Sequence, residues 1–174
     1  QFKAFLQQLV NTDSVNPIDR PKFLEVHDML VKGRSDKNKL ASDILDVNTS
    51  TTVTQVQEIR KQLDAAKAKG DPMAQAILDL AASVAHQIQA SLKLKHILLE
   101  IIHPEEITQP TKKARFLHLH DKVTQEGQRQ NPLALKILAV NETTPADVID
   151  ALMQELKTGA DNGEDLATEI LAAV

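Results

Sequence analysis

The stretch that decides the fold runs from Asp71 to His103 and reads DPMAQAILDLAASVAHQIQASLKLKHILLEIIH. A glycine and a proline mark its start and Pro104 follows its end, which is the usual punctuation of a helix. A helix of about 31 residues is roughly 46 Å long, whereas a compact chain of this size is about 40 Å across. The stretch is apolar over most of its circumference, which is typical of a buried helix. We therefore expect one buried helix, over about residues 72–103, at the centre of the fold.

Apolar residues at helical spacing on both sides of this stretch predict further helices. One helix begins near Arg20 and is expected to end at Gly33, and Thr144 and Pro145 open another. No segment alternates with the period of a strand, and we find no repeat at a fixed period. The sequence therefore predicts an all-α fold, a single-domain bundle of about nine helices around the long central helix. That domain covers residues 1–174, and its start inside an apolar pattern suggests a fragment of a longer protein.

The composition narrows the range of ligands. The chain has four Phe, no Trp, no Tyr and no Cys. Flat rings are needed to stack on bases and sugars, so we expect no carbohydrate, single-stranded nucleic acid or sequence-specific nucleic acid as a partner. The absence of Cys excludes thiol catalysis and thiolate metal sites. The longest uncharged run in the central stretch, Leu80 to Leu92, falls short of the roughly 20 residues of a membrane span, so we expect a soluble chain with no transmembrane segment.

Charge is unevenly placed along the chain. The formal net charge is −4. From Glu142 to the end, the sequence contains several acidic residues but only one basic residue, Lys157. The C-terminal part is therefore net acidic, whereas the rest of the chain has a small excess of basic residues.

A basic cluster opens one of the predicted helices. Lys112, Lys113 and Arg115 fall in its first turn, where cations oppose the positive end of the helix dipole. The free N–H groups at such a helix start favour an anion. Arg20 and Lys22 repeat the arrangement at an earlier helix start. We interpret these five residues as a candidate site for an anion: a phosphate-bearing ligand, the head group of a phosphoinositide or another anionic membrane lipid, or an acidic patch on a partner protein.

A second candidate site lies near the end of the central helix. His96, Glu100 and His103 stand at positions i, i+4 and i+7, within an arc of about 60° around the helix axis. Two imidazoles and a carboxylate in this arrangement could bind Zn²⁺ or Fe²⁺. The alternative is a solvated polar stripe, in which Glu100 pairs with His96 and His103 offsets the dipole at the helix end.

The segment His118-Leu119-His120-Asp121 is a third candidate. Residues two apart on a helix point in nearly opposite directions, so the two histidines cannot share one ion. The His120-Asp121 dipeptide in a helical chain resembles the HD phosphohydrolases, whose pattern is a His, a later His-Asp and a later Asp. The nearest fit here is His103, His120-Asp121 and Asp147, at short intervals. The resemblance implies a metal-dependent hydrolase built on histidine ligands.

We find no P-loop, no Gly-rich phosphate cradle and no Ser/His/Asp triad in the sequence, so no catalytic residue and no cofactor is expected. The function that the sequence favours is a non-catalytic helical interaction module that binds another protein through its outer helical faces. The first alternative is binding of an anionic ligand or an anionic membrane through residues 112–115. The second alternative is the histidine-based metal-dependent hydrolase.

Overall fold

The computed structural model describes residues 1–174, and the chain folds into helices without a strand. Two short 3₁₀ turns, Thr12–Ser14 and Pro104–Glu106, accompany the α-helices. The predicted all-α fold is confirmed, and no helix combines the length and hydropathy that a bilayer crossing requires. The nine α-helices are α1 (Phe2–Val10), α2 (Arg20–Ser35), α3 (Lys39–Leu45), α4 (Val53–Ala68), α5 (Pro72–Ile102), α6 (Pro110–Gln128), α7 (Pro132–Leu138), α8 (Ala146–Asp161) and α9 (Asp165–Ala173).

The long helix predicted from the sequence is α5, which has 31 residues. The chain divides into two compact units, residues 1–86 and residues 87–174, and the division falls inside α5. The first unit therefore contains α1 to α4 and the first half of α5. The second unit contains the second half of α5 and α6 to α9.

Each unit buries its own set of aliphatic side chains. The first half of α5 contributes Met73, Ala74, Ile77, Leu78 and Leu80 to the core of the first unit. The second half contributes other residues to the core of the second unit, namely Leu94, Ile97, Leu98 and Ile101. One helix thus supplies a wall to each of two cores.

The middle of α5 differs from expectation, because it is not buried around its circumference. Ile88 is 43% exposed and Leu92 is 57% exposed. The buried core of the first unit ends at Leu80 along this helix, and that of the second unit begins at Leu94. Between these two points Ala81 and Val84 pack, partly buried, against the first core, whereas Ile88 and Leu92 belong to neither cluster. Hydrophobicity alone therefore overestimated the burial of this segment.

Several helices begin at side-chain caps that the sequence supplies. The Thr52 hydroxyl accepts a hydrogen bond from the N–H of Gln55, and the Gln55 side chain accepts one from the N–H of Thr52. This reciprocal capping box satisfies two donors at the start of α4. The Asn38 side chain caps α3, and Asn131 caps α7. These caps fix where the helices of each unit begin.

The two units are copies of one five-helix pattern. From Pro17 onward, residue n of the first unit corresponds to residue n + 93 of the second, and the helices follow in the same order. The expectation that the chain contains no repeat is therefore wrong. The repeat is hard to detect because its period is long and the identical residues are scattered along it. Identical pairs are Pro17/Pro110, Phe23/Phe116, Leu24/Leu117, His27/His120, Asp28/Asp121, Asn38/Asn131, Leu40/Leu133, Ala41/Ala134, Ile44/Ile137, Leu45/Leu138, Val47/Val140, Asn48/Asn141, Thr51/Thr144, Leu63/Leu156, Gly70/Gly163, Ala74/Ala167, Ile77/Ile170 and Leu78/Leu171.

The turns between the second and third helices of the two units have the same backbone geometry. Lys37 and Gln130 both have φ of 63°, in the left-handed region. The following N–H, that of Asn38, donates to the carbonyl of Gly33 at 2.8 Å. The helix therefore passes through Gly33 and ends two residues later, at Ser35, instead of stopping at the glycine. A left-handed residue just past the helix, with this bond closing back over it, is the usual C-terminal cap.

The turns that lead into the last helix of each unit also match. Gly70 has φ of 82° and Gly163 has φ of 81°. A Cβ built on either glycine would meet nothing within 4 Å. Only the backbone conformation therefore requires glycine at these two positions.

These four left-handed positions predict paired stability effects. Lys37→Gly and Gln130→Gly should each raise the free energy of unfolding by about 0.5–1 kcal/mol, because glycine removes the left-handed strain of roughly 1–2 kcal/mol while losing more backbone entropy. Gly70→Ala and Gly163→Ala should each lower it by about 1 kcal/mol. Urea unfolding of the four single variants checks these values. A sign that differs between the two members of a pair would contradict the equivalence of the turns.

Candidate functional site

The basic cluster at the start of α6 is held by the protein's own groups. Lys112 Nζ lies 2.7 Å from Glu100 Oε1 and 5.5 Å from the centre of the Phe116 ring. Lys113 Nζ donates to the Glu105 carbonyl at 3.3 Å. The third cation, Arg115, donates to the carbonyl of Ala172 at 2.8 Å. An anion that bound here would have to compete with these partners, so the anion site stays a prediction from the sequence.

The two residues of the earlier basic pair, Arg20 and Lys22, have different environments in the structure. Arg20 Nη2 donates to the carbonyls of Asp13 at 3.3 Å and Val15 at 2.9 Å, so this guanidinium joins the α1–α2 connection to α2. Lys22 is exposed on α2. Its sequence partner Arg20 therefore has a structural role, and only the Lys22 side chain remains open to a ligand from this pair.

The predicted metal ligands line one open pocket of about 480 Å³. His96 Nε2 lies 3.4 Å from Glu100 Oε1, as the solvated-stripe alternative describes. His103 Nδ1 lies 3.3 Å from Glu105 Oε1. The pKa of the Glu105 carboxyl is lowered, first by its own backbone N–H and further by His103. No group of three or more His, Asp or Glu side chains is arranged to hold a metal ion, so the metal site keeps only its sequence-based support.

The His-Asp dipeptides have a structural explanation. His120 Nδ1 lies 2.9 Å from the carbonyl of Ile101, at the end of α5. In the first unit, His27 Nδ1 lies 2.7 Å from the carbonyl of Leu9, at the end of α1. Each histidine thus ties the second helix of its unit to the last turn of the first helix. The dipeptide that resembles the HD phosphohydrolases is a feature of both repeats, and each histidine in it already bonds a backbone carbonyl.

A different surface of the second unit has the character of a binding site, and the sequence analysis did not identify it. It is an open groove of about 570 Å³ between α7 and α8, which we call the α7–α8 groove. Val140 and Leu152 are buried at its base, and Val148 on its rim is 44% exposed. Its lining residues are Lys136, Ala139, Val140, Thr144, Pro145, Asp147, Val148, Ala151, Leu152 and Glu155.

The walls of the α7–α8 groove are two helical stripes. Lys136, Ala139 and Val140 stand at i, i+3 and i+4 along and just past α7. On α8 the stripe is formed by positions i, i+3, i+4 and i+7, which are Val148, Ala151, Leu152 and Glu155. Residues at these spacings share one face of a helix. The small alanine side chains leave room between the walls for a side chain of a ligand.

The turn between α7 and α8 is fixed by hydrogen bonds, so the start of the groove is held in place. The Asn141 N–H donates to the Thr144 hydroxyl at 2.9 Å, and the Asn141 side chain accepts from the N–H of Thr143. Lys95 on α5 donates to the carbonyls of Glu142 at 2.6 Å and Thr144 at 3.0 Å. Walls that are already ordered before binding lose less conformational entropy when a ligand binds.

The corresponding groove of the first unit, between α3 and α4, has a different lining. It measures about 350 Å³ and is lined by Lys39, Asp43, Asp46, Thr51, Gln55, Glu58, Ile59 and Gln62. The equivalents of Ala139, Val148 and Ala151 are polar or charged here, namely Asp46, Gln55 and Glu58. Arg34 also forms an ion pair with Asp46 at this site. The same framework therefore presents an apolar groove in the second unit and a polar one in the first.

The rim of the α7–α8 groove is acidic. Its one cation, Lys136, has Nζ 2.6 Å from Glu155 Oε1 and is therefore neutralised within the rim. Asp147 is exposed and accepts only a hydrogen bond from the N–H of Val148. Glu142, in the loop two residues before Thr144, is also exposed, but it lines the neighbouring pocket of His96 and His103. Neither of these two carboxylates forms an ion pair. The charged residues of the lining, Lys136, Asp147 and Glu155, thus leave one negative charge in excess.

Comparison with known proteins gives no match: no family model, no curated protein and no solved structure is significantly similar to this chain. The HD phosphohydrolases are therefore not supported as relatives. The function of the chain is inferred from its own residues.

An ion-pair cluster that the first unit lacks fastens α9 to α6. Lys122 Nζ lies 2.6 Å from Glu169 Oε1, and His118 Nε2 lies 3.6 Å from Glu169 Oε2. The hydrogen bond from Lys122 is the main reason that the pKa of Glu169 lies below its ordinary value of 4.5. Met29 and Ala76 stand at the equivalent positions of Lys122 and Glu169 in the first unit.

The lowered pKa of Glu169 predicts a pH-dependent stabilisation. Because the folded state favours the charged carboxylate, this contribution is complete above pH 4.5 and is lost as the pH falls through the lowered pKa. Lys122→Met, which introduces the side chain found in the first unit, should move the pKa of Glu169 back toward 4.5. Carboxyl ¹³C NMR titration of both proteins checks this. An unchanged Glu169 titration in the variant would contradict the role of Lys122.

Proposed function

We propose that this chain is a protein-binding module and that the α7–α8 groove of the second unit is its binding site. The observation that carries the proposal is an exposed apolar wall, centred on Val148, over a groove with a buried aliphatic base. Grooves between helices that combine apolar walls with a few charged rim groups are typical sites for a helix or peptide of another protein.

The first alternative, binding of an anionic ligand or membrane, has weaker support. Lys112, Lys113 and Arg115 each have an internal partner. The lining of the α7–α8 groove has one negative charge in excess, which disfavours phosphate and anionic lipid there. A protein partner is therefore the better match to the groove.

The first unit supplies the variant that tests this proposal. Val148→Gln combined with Ala151→Glu gives the groove of the second unit the residues found at Gln55 and Glu58. Because the first unit folds with these side chains on the same framework, the double variant should change the free energy of unfolding by less than about 1 kcal/mol. Leu117→Gln is the matched control, since Leu117 is 42% exposed on α6.

We expect a library of random peptides, displayed on phage and selected against the full chain, to yield peptides that bind this groove. Their dissociation constants should rise tenfold or more in the double variant, since losing one buried apolar side chain costs about 1.5 kcal/mol or more. They should be unchanged in Leu117→Gln. Amide NMR shifts caused by the peptides should fall on α7 and α8.

Two results would contradict the proposal. In the first, selected peptides bind the double variant as tightly as the wild type. In the second, their NMR shifts fall outside the α7–α8 groove. Vesicles of neutral and of anionic lipid serve as a separate arm, and co-sedimentation with the anionic vesicles alone would favour the alternative.

A further inference from the structure

We infer that the occupant of the α7–α8 groove is a basic amphipathic helix of a partner protein. This inference rests on the proposed function, because it specifies what the same groove binds. Three observations support it: the helical shape of the walls, the absence of a strand edge, and the exposed Asp147 carboxylate on the rim, which forms no ion pair.

The shape of the groove favours a helical ligand. Its α8 wall extends from Val148 to Glu155, which is two turns of helix or roughly 10 Å. Ridges of a partner helix, formed by residues at i, i+3, i+4 and i+7, pack between such stripes. Apolar side chains on that face would lie against Val148 and Ala151, above the buried Leu152.

The backbone of the chain also favours a helical ligand over an extended one. An extended peptide usually gains affinity by adding a strand to the edge of a sheet. This fold has no strand, and the backbone groups of α7 and α8 are bonded within their own helices. An extended ligand would find no strand edge to pair with in this groove, whereas a helix satisfies its own backbone hydrogen bonds.

The charge of the rim specifies the polar face of that helix. Asp147 on the rim and Glu142 in the loop before it are exposed without an ion pair. Lys136 is neutralised by Glu155, and the Lys95 ammonium is bonded to the Glu142 and Thr144 carbonyls. Lysine or arginine side chains that flank the apolar face of the ligand would meet carboxylates there. An acidic helix would meet like charge, and so would a second copy of the same groove. Charges of this kind mainly raise association rates and decide between partners.

The test uses three synthetic helical peptides with leucines at the same i, i+3, i+4 and i+7 positions. Their remaining positions carry lysine in the first peptide, glutamine in the second and glutamate in the third. Binding to the full chain is measured by fluorescence anisotropy and located by amide NMR shifts. We expect the lysine peptide to bind the α7–α8 groove at least tenfold more tightly than the glutamine peptide, and the glutamate peptide to bind more weakly than both. Raising the salt concentration should reduce the difference, because exposed charges are screened.

Charge variants separate the local effect of the rim from the net charge of the protein. The double variant Glu142→Gln with Asp147→Asn should weaken binding of the lysine peptide about threefold to tenfold. Its affinity for the glutamine peptide should equal that of the wild type. Asp121→Asn with Asp165→Asn removes the same charge from exposed positions outside the groove lining. This control pair should leave the binding of the lysine peptide close to that of the wild type.

The outcomes distinguish this inference from the proposed function. If the glutamine or glutamate peptide binds the groove as tightly as the lysine peptide, or if library peptides that bind it are not basic, the inference is overturned and the groove remains a protein-binding site. Equal weakening by the two charge pairs also overturns it. If neither the designed nor the library peptides shift residues of α7 and α8, both proposals fail.

Discussion

The constraint on which this structure depends is that one helix must supply a wall to two different cores. The first half of α5 buries Ile77 and its neighbours with α1 to α4, and the second half buries Leu98 and its neighbours with α6 to α9. Burial of aliphatic surface is the main stabilising contribution in a fold with so few aromatic rings. The spacing of apolar residues along α5 therefore fixes where one unit ends and the next begins.

The repeat of the five-helix pattern explains features that look unrelated in a linear reading. The two His-Asp dipeptides occupy the same position in the two units, and both histidines bond a carbonyl at the end of the preceding helix. The left-handed turn residues Lys37 and Gln130 also correspond. Because the repeats share this framework, differences between them stand out. The α7–α8 groove is apolar where the matching surface of the first unit carries Asp46 and Glu58.

Much of the fold was predictable from the sequence, because helices follow from local spacing and from prolines and caps. The long helix, for example, was expected over 72–103 and is observed at Pro72–Ile102. Its burial was overestimated, since spacing does not say which apolar residues have a core opposite them. Ile88 and Leu92 have none. The end of α2 was also misplaced, because its cap depends on the backbone of Lys37 and not on Gly33.

The candidate sites were less predictable, because they depend on which helices meet. Lys112 and Glu100 lie on different helices, so their sequence positions do not predict a contact. They nevertheless form an ion pair, which changes how the basic cluster is interpreted. The α7–α8 groove has no motif, since its lining comes from two helices and the loop between them. Aligning the two units would have revealed Val148 and Ala151 as apolar residues at positions that are polar in the first unit. The repeat, once seen, was the available signal for this site.

The tautomeric state of the two histidines is the most direct test of the repeated architecture. Long-range ¹⁵N–¹H NMR of the full chain, recorded above the titration range of imidazole, distinguishes a proton on Nδ1 from one on Nε2. Because a carbonyl can only accept, a neutral imidazole bonded to it through Nδ1 must carry its proton there. The account predicts the Nδ1–H form for both His27 and His120. An Nε2–H form at either histidine would contradict the shared contact on which the equivalence of the two units rests.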